Sequence, residues 1–113
     1  MRHLIATALL FVSAYAAQAQ HNAADMRNGN DLQEMCARPA SGAISEPNLF
    51  CSGYIRGIAD VTQDEGFIDI RTATNGKLMD VVRKYLADHP EHLKGSASNL
   101  VVMALMDVFP AKN

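Results

Sequence analysis

The sequence predicts an all-α fold, a small compact bundle of about four helices clamped by one disulfide. Three observations carry that prediction. Apolar residues recur at three- and four-residue spacing in four separate stretches, and a capping residue or a proline bounds each one. No two segments alternate apolar and polar residues in the way a pair of strands requires. The only two cysteines, Cys36 and Cys51, sit at the end of the first stretch and near the start of the second.

Ahead of the helices lies an export leader. Met1-Arg2-His3 carries positive charge, Leu4 to Ala16 contains no charged residue, and Ala17-Gln18-Ala19 offers the small residues that signal peptidase prefers. The apolar run is shorter than the ~20 residues a membrane span needs. Cleavage after Ala19 is therefore expected, and Gln20 rather than a cysteine at the junction excludes the lipid-modified type of leader. Removing 19 of the 113 residues leaves 94, a single domain over 20–113 with a modest core, expected in the periplasm and with no membrane segment in its mature form. Loss of Arg2 leaves nine basic side chains against twelve acidic ones. That balance argues against nucleic acid and anionic lipid, which need a concentrated basic surface.

In an oxidising compartment an even number of cysteines reads as a disulfide framework, and two cysteines allow one connectivity. Closing the segment from Cys36 to Cys51 removes about 3 kcal/mol of unfolded-state freedom by loop-closure arithmetic.

Gln20 to Asn28 read as a loose polar leader. Asn30, followed three residues later by Gln33, resembles a helix start, and Leu32, Met35 and Cys36 share one face of a short helix that ends by Pro39. After a turn-rich stretch, Ser45 caps a long second helix whose first turn tolerates Pro47. Its apolar face runs through Phe50, Cys51, Tyr54, Ile55, Ile58, Val61 and Thr62 and stops near Asp64-Glu65-Gly66. Gly66 to Thr74, with Phe67, Ile68 and Ile70, is read as a loop pinned to the core in preference to a short extended segment. Thr74 caps a third helix with Leu78, Val81, Val82, Tyr85 and Leu86 inside and Lys77, Asp80, Arg83, Lys84 and Asp88 mainly outside. His89-Pro90 closes it. Ser96 or Ser98 then caps a fourth helix with Leu100, Val101, Ala104, Leu105 and Val108 on its apolar face, stopped by Phe109-Pro110.

Few residues invite chemistry. Gly53 and Gly57 lie one turn apart in the second helix, where each costs up to about 1 kcal/mol relative to alanine. Close approach of another helix, or of the 36–51 segment, is the simplest compensation; a membrane-type glycine motif conflicts with Arg56 and Asp60 in the same helix. His89 and His92 flank Pro90-Glu91, but histidines so spaced on a loop are more commonly solvated, and no cysteine is spare to join them. No metal or cofactor is therefore expected. The methionines at 35, 79, 103 and 106 fall on apolar helical faces and read as core filler. No serine sits in a nucleophile-elbow sequence, and acids such as Asp60, Asp64 and Glu65 on a surface helix are ordinarily just solvated. An enzyme is not expected, because 94 residues in a bundle leave little room for a cleft and its supporting shell.

The stretches Cys51-Ser-Gly-Tyr-Ile-Arg-Gly57, Asn75-Gly-Lys-Leu-Met-Asp-Val-Val82 and Lys84-Tyr-Leu-Ala-Asp-His-Pro-Glu91, with Cys36 before them and Phe109-Pro110 after, resemble the Rap/Tai immunity proteins. The resemblance runs from about Asn28 to Pro110. Members of that family protect bacteria against peptidoglycan amidases delivered by type VI secretion. It implies a non-catalytic inhibitor that docks on a papain-like Cys/His amidase, with a homodimer as one arrangement. Candidate contact residues, exposed by their sequence pattern, are Arg83 and Lys84 on the outer side of the third helix and His89, Glu91 and His92 on the loop after it. One departure stands out: a second cysteine pair of the family pattern falls at Ile68 and Ala111, where an apolar contact would have to replace it.

Three readings follow. Amidase immunity predicts a neighbouring toxin gene. A small periplasmic stress or chaperone-like protein predicts acid-triggered exposure of apolar surface. A metal-handling protein predicts heat on titration with zinc or copper.

Overall fold

The computed structural model describes residues 25–40, 42 and 45–112. The predicted leader at 1–19, its cleavage site and the polar segment through Ala24 lie outside the described residues.

Four helices follow in order: α1 Gly29–Cys36, α2 Glu46–Asp64, α3 Asn75–Asp88 and α4 Ala97–Val108, with one turn of 3-10 helix at Pro90–His92 between the last two. Among the described residues the only β-type pairings are two isolated bridges. The helices close on one core in which Leu32, Ile55, Leu78, Val82, Val101 and Leu105 are fully buried. None of them is long and apolar enough to cross a membrane.

α1 starts earlier than its local pattern indicates. The cap is Asn28, not Asn30: the Asn28 side chain accepts from the Asp31 N–H at 3.0 Å, while the Asp31 carboxylate accepts from the Asn28 N–H at 3.2 Å. This reciprocal box satisfies two of the N–H groups a helix start leaves unpaired. The end of the supposed loose leader is also tied down. Gly29 donates to the Gly95 carbonyl at 3.0 Å, Asn30 donates to Leu93 at 3.0 Å, and Ala97 donates to Arg27 at 3.2 Å. Such an approach demands a bare backbone, since a Cβ on Gly29 would come within 2.8 Å of the Leu93 Cα.

Among the described residues the close approach predicted for Gly53 and Gly57 is not there: a Cβ built on either meets none of them within 4 Å, and both glycines face outward from α2. The helix turns a different edge of its stripe to the core. Cys51, Ile55, Ala59 and Thr62 are buried, whereas Phe50 and Val61 are exposed. Neighbours on α1, α3 and α4 select that edge, and a small residue, Ala59, lets them close in.

Ser45 caps α2 as its sequence predicts, with Pro47 in the first turn. Gly66 ends it in a left-handed conformation (φ 84°), where the Gly66 N–H reaches the Gln63 carbonyl and the Phe67 N–H reaches that of Thr62. Both carbonyls would otherwise be orphaned at the helix end. Residues 66–74 then form the pinned loop. Ile68 and Ile70 are buried, the Ile70 N–H donates to the Gln63 side chain at 2.8 Å, and Arg56 reaches the Ala73 carbonyl.

Ile68 bridges to Pro110, and the Asp69 N–H donates to the Phe109 carbonyl at 3.0 Å. The segments around Ile68 and Ala111, where an expected second cysteine pair is replaced, are therefore neighbours. Backbone pairing joins them, with Lys112 lying 3.8 Å from Asp69.

Thr74 caps α3. Ser96 occupies the cap position of α4, yet its hydroxyl contacts Ser98 at 3.0 Å instead of a backbone N–H. Along α4, Leu100, Val101, Ala104 and Leu105 are buried. Met103, Met106 and Val108 are exposed, which corrects their assignment to the core: α4 is apolar on more of its circumference than its neighbours cover.

Candidate functional site

The disulfide forms between Cys36 and Cys51, both fully buried, with Cα atoms 5.2 Å apart. It ties the last residue of α1 to the second turn of α2 and fixes the carbonyl end of α1 against α3. Arg83 completes this junction. Its Nε donates to the Cys36 carbonyl, and its two terminal nitrogens reach Asp80 at 3.1 Å and Asn48 at 3.4 Å. Asn48 in turn donates to the Ala37 carbonyl at 2.8 Å.

The side chain predicted to lie outside α3 is thus turned inward. Only 20 % of the Arg83 side chain is exposed. Its planar fork suits several acceptors at once, and here all of them belong to its own chain.

Lys84 remains at the surface and pairs with Asp88 at 2.7 Å, one turn along α3. This hydrogen bond holds the Asp88 carboxyl below its ordinary pKa. Beyond it, the 3-10 turn folds back toward α3. His89 and His92 stack with ring centroids 5.0 Å apart and planes 5° from parallel, and Tyr85 lies beneath His89 at 4.3 Å.

Glu91 closes the group. One carboxylate oxygen lies 3.2 Å from His89 Nδ1 and 3.7 Å from His92 Nε2. Its own backbone N–H, then His89, hold the Glu91 carboxyl below its ordinary pKa. Burial pushes the Tyr85 phenol upward, with Asp107 and Glu91 adding to the effect.

His89, Glu91 and His92 therefore form one partly exposed cluster rather than three independently solvated side chains. Helical spacing places Tyr85 only in the core. Its hydroxyl lies 3.1 Å from His92 Nδ1, so it also supports the cluster. The four-residue step from Tyr85 to His89 already places those two on one helical face. No local signal shows the turn at Pro90 returning His92 to them.

A family model for Rap1a immunity proteins matches residues 28–111, which takes in all four helices. The chain belongs to this family. No curated protein and no solved structure matches it. Membership of an immunity-protein family implies binding to a cognate secreted effector, so the surface of interest is one on which a protein can dock.

Of the five candidate contact residues, four are exposed or half-buried at the surface: Lys84, His89, Glu91 and His92. Arg83 is committed to the disulfide junction. In this immunity protein Gly53 and Gly57 expose bare backbone on the outer face of α2, with Leu49 and Phe50 beside its N-terminal end.

Proposed function

We propose that this Rap1a-family chain is exported to the periplasm and there binds and inhibits a peptidoglycan amidase delivered by type VI secretion. The observation that carries the reading is the family match across 28–111. The leader at 1–19 and the buried disulfide fit an oxidising destination outside the cytoplasm.

Docking on a cleft favours a pre-ordered surface segment, and the turn after α3 has that character. Pro90 restricts the backbone, the 3-10 hydrogen bond from the His92 N–H to the His89 carbonyl closes the turn at 2.9 Å, and Gly95 is anchored to α1. Ordering cost on binding is lower for a segment already held in one shape. A standard interface of about 1,600 Å² around a few such anchors is sufficient for tight inhibition.

Co-expression in the periplasm with a peptidoglycan amidase, sought among the genes neighbouring this one, tests the reading. Protection is expected from the wild-type chain and from Arg56→Ala, which lies away from the turn, and reduced protection from the combined His89→Ala, Glu91→Ala, His92→Ala variant. Equal protection by the triple variant would remove the turn from the interface. Failure of the wild-type chain to protect against, or bind, that hydrolase would remove the amidase assignment. Light scattering of the free protein and of the complex checks for the homodimer.

A further inference from the structure

The cluster at the end of α3 has the composition and spacing of a metal site. Two imidazoles and a carboxylate converge: all three ligand atoms lie within 4.8 Å of one another. In a tetrahedral zinc site, ligands at about 2.0–2.1 Å from the ion stand roughly 3.4 Å from each other. The Glu91 oxygen already lies 3.2 Å from His89 Nδ1 and 3.7 Å from His92 Nε2.

We propose that His89 Nδ1, Glu91 Oε1 and His92 Nε2 bind one divalent zinc-like ion, with water in the remaining position. The donor set favours a late first-row ion over magnesium or calcium, which prefer oxygen ligands.

A supporting contact argues in the same direction. When His92 donates from Nδ1 to the Tyr85 hydroxyl, its Nε2 lone pair is left facing Glu91. A hydrogen bond on the far nitrogen is how proteins orient a metal-bound imidazole. Tyr85 is itself held in the core, with its ring against His89.

Binding requires one rearrangement. The two rings are stacked almost parallel, and an ion must lie near the plane of each, so at least one ring turns about its χ2 angle. More than a third of each side chain is exposed, which leaves room for that rotation.

The site belongs to the free protein and does not depend on any effector. The test uses the purified chain without a histidine tag at pH 7.5, titrated with zinc chloride by calorimetry and with cobalt chloride by visible absorption. One ion per chain is expected, with the intense d–d band of a tetrahedral cobalt site. His89→Ala and His92→Ala should each abolish the band. Glu91→Gln should weaken binding, and Tyr85→Phe should weaken it by about tenfold through the supporting contact. Circular dichroism keeps loss of fold apart from loss of ligand, and His21→Ala, outside the described residues, should leave the titration unchanged. No saturable binding, or binding that survives both His89→Ala and His92→Ala, would overturn the proposal.

Discussion

Three glycines in helices should respond to the same substitution with opposite signs. Gly53 and Gly57 sit inside α2, where glycine costs up to about 1 kcal/mol relative to alanine, and a new Cβ at either meets nothing within 4 Å among the described residues. Gly53→Ala and Gly57→Ala should each therefore stabilise the folded chain by up to about 1 kcal/mol. Together they should raise Tm by several degrees, since 1 kcal/mol moves the midpoint of a 60–100-residue domain by about 4–8 °C. Gly29→Ala places its Cβ 2.6 Å from Leu100 Cδ1, 2.8 Å from Leu93 Cα and 2.9 Å from the Leu93 carbonyl oxygen.

The Leu100 methyl can move, but the Leu93 backbone is itself hydrogen-bonded to Asn30 at 3.0 Å. Overpacking of this kind costs about 1–3 kcal/mol, which outweighs the gain in helix propensity. Urea unfolding followed by far-ultraviolet circular dichroism, at low protein concentration, measures all three. Destabilisation by Gly53→Ala or Gly57→Ala would mean that something covers the outer face of α2 in solution. A neutral Gly29→Ala would refute the close approach of α1 to the segment before α4.

Other consequences concern the disulfide junction and the surface acids. Reducing the bond between Cys36 and Cys51 should lower stability by about 3 kcal/mol, read as a shift of the urea midpoint with dithiothreitol. Arg83→Ala should cost about 2 kcal/mol, because it strips the Cys36 carbonyl and Asn48 of a charged donor; Arg83→Lys should recover only part of this, lacking the fork. Hydrogen bonds from Arg71 hold the Asp69 carboxyl well below the usual carboxylate range, and Asp88 and Glu91 are also lowered. Groups depressed in the folded state contribute fully above their unfolded pKa values of roughly 4, and that contribution is lost as pH falls through the folded values. Stability should thus decline on acidification, and Asp69→Asn should flatten the decline while lowering stability at pH 7; a profile identical to wild type would refute the Asp69–Arg71 linkage.

Much of the fold was legible because its signals are local. The caps at Ser45 and Thr74, the stop at His89-Pro90 and the helical recurrence in α3 all act within a few residues of chain, through hydrogen bonds and side chains one turn apart. Asn30 misled because it also has a cap-like spacing. Asn28 prevails as its box with Asp31 forms while the adjoining backbone is tied to residues 93–97. The candidate site was legible only in part: His89, Glu91 and His92 were visible as a motif, but their convergence was not.

Near neighbours along the chain, or a single possible pairing, are enough to set which segments become helices, roughly where they stop and that two cysteines join α1 to α2. Tertiary structure decided which edge of each stripe is buried. Ala59 goes in while Phe50 and Val61 stay out, and α4 leaves Met103 and Met106 uncovered. It also turned Arg83 inward and brought His92 back over Tyr85. Those outcomes depend on what lies opposite each residue after chain segments far apart in sequence have met, and no local period encodes that.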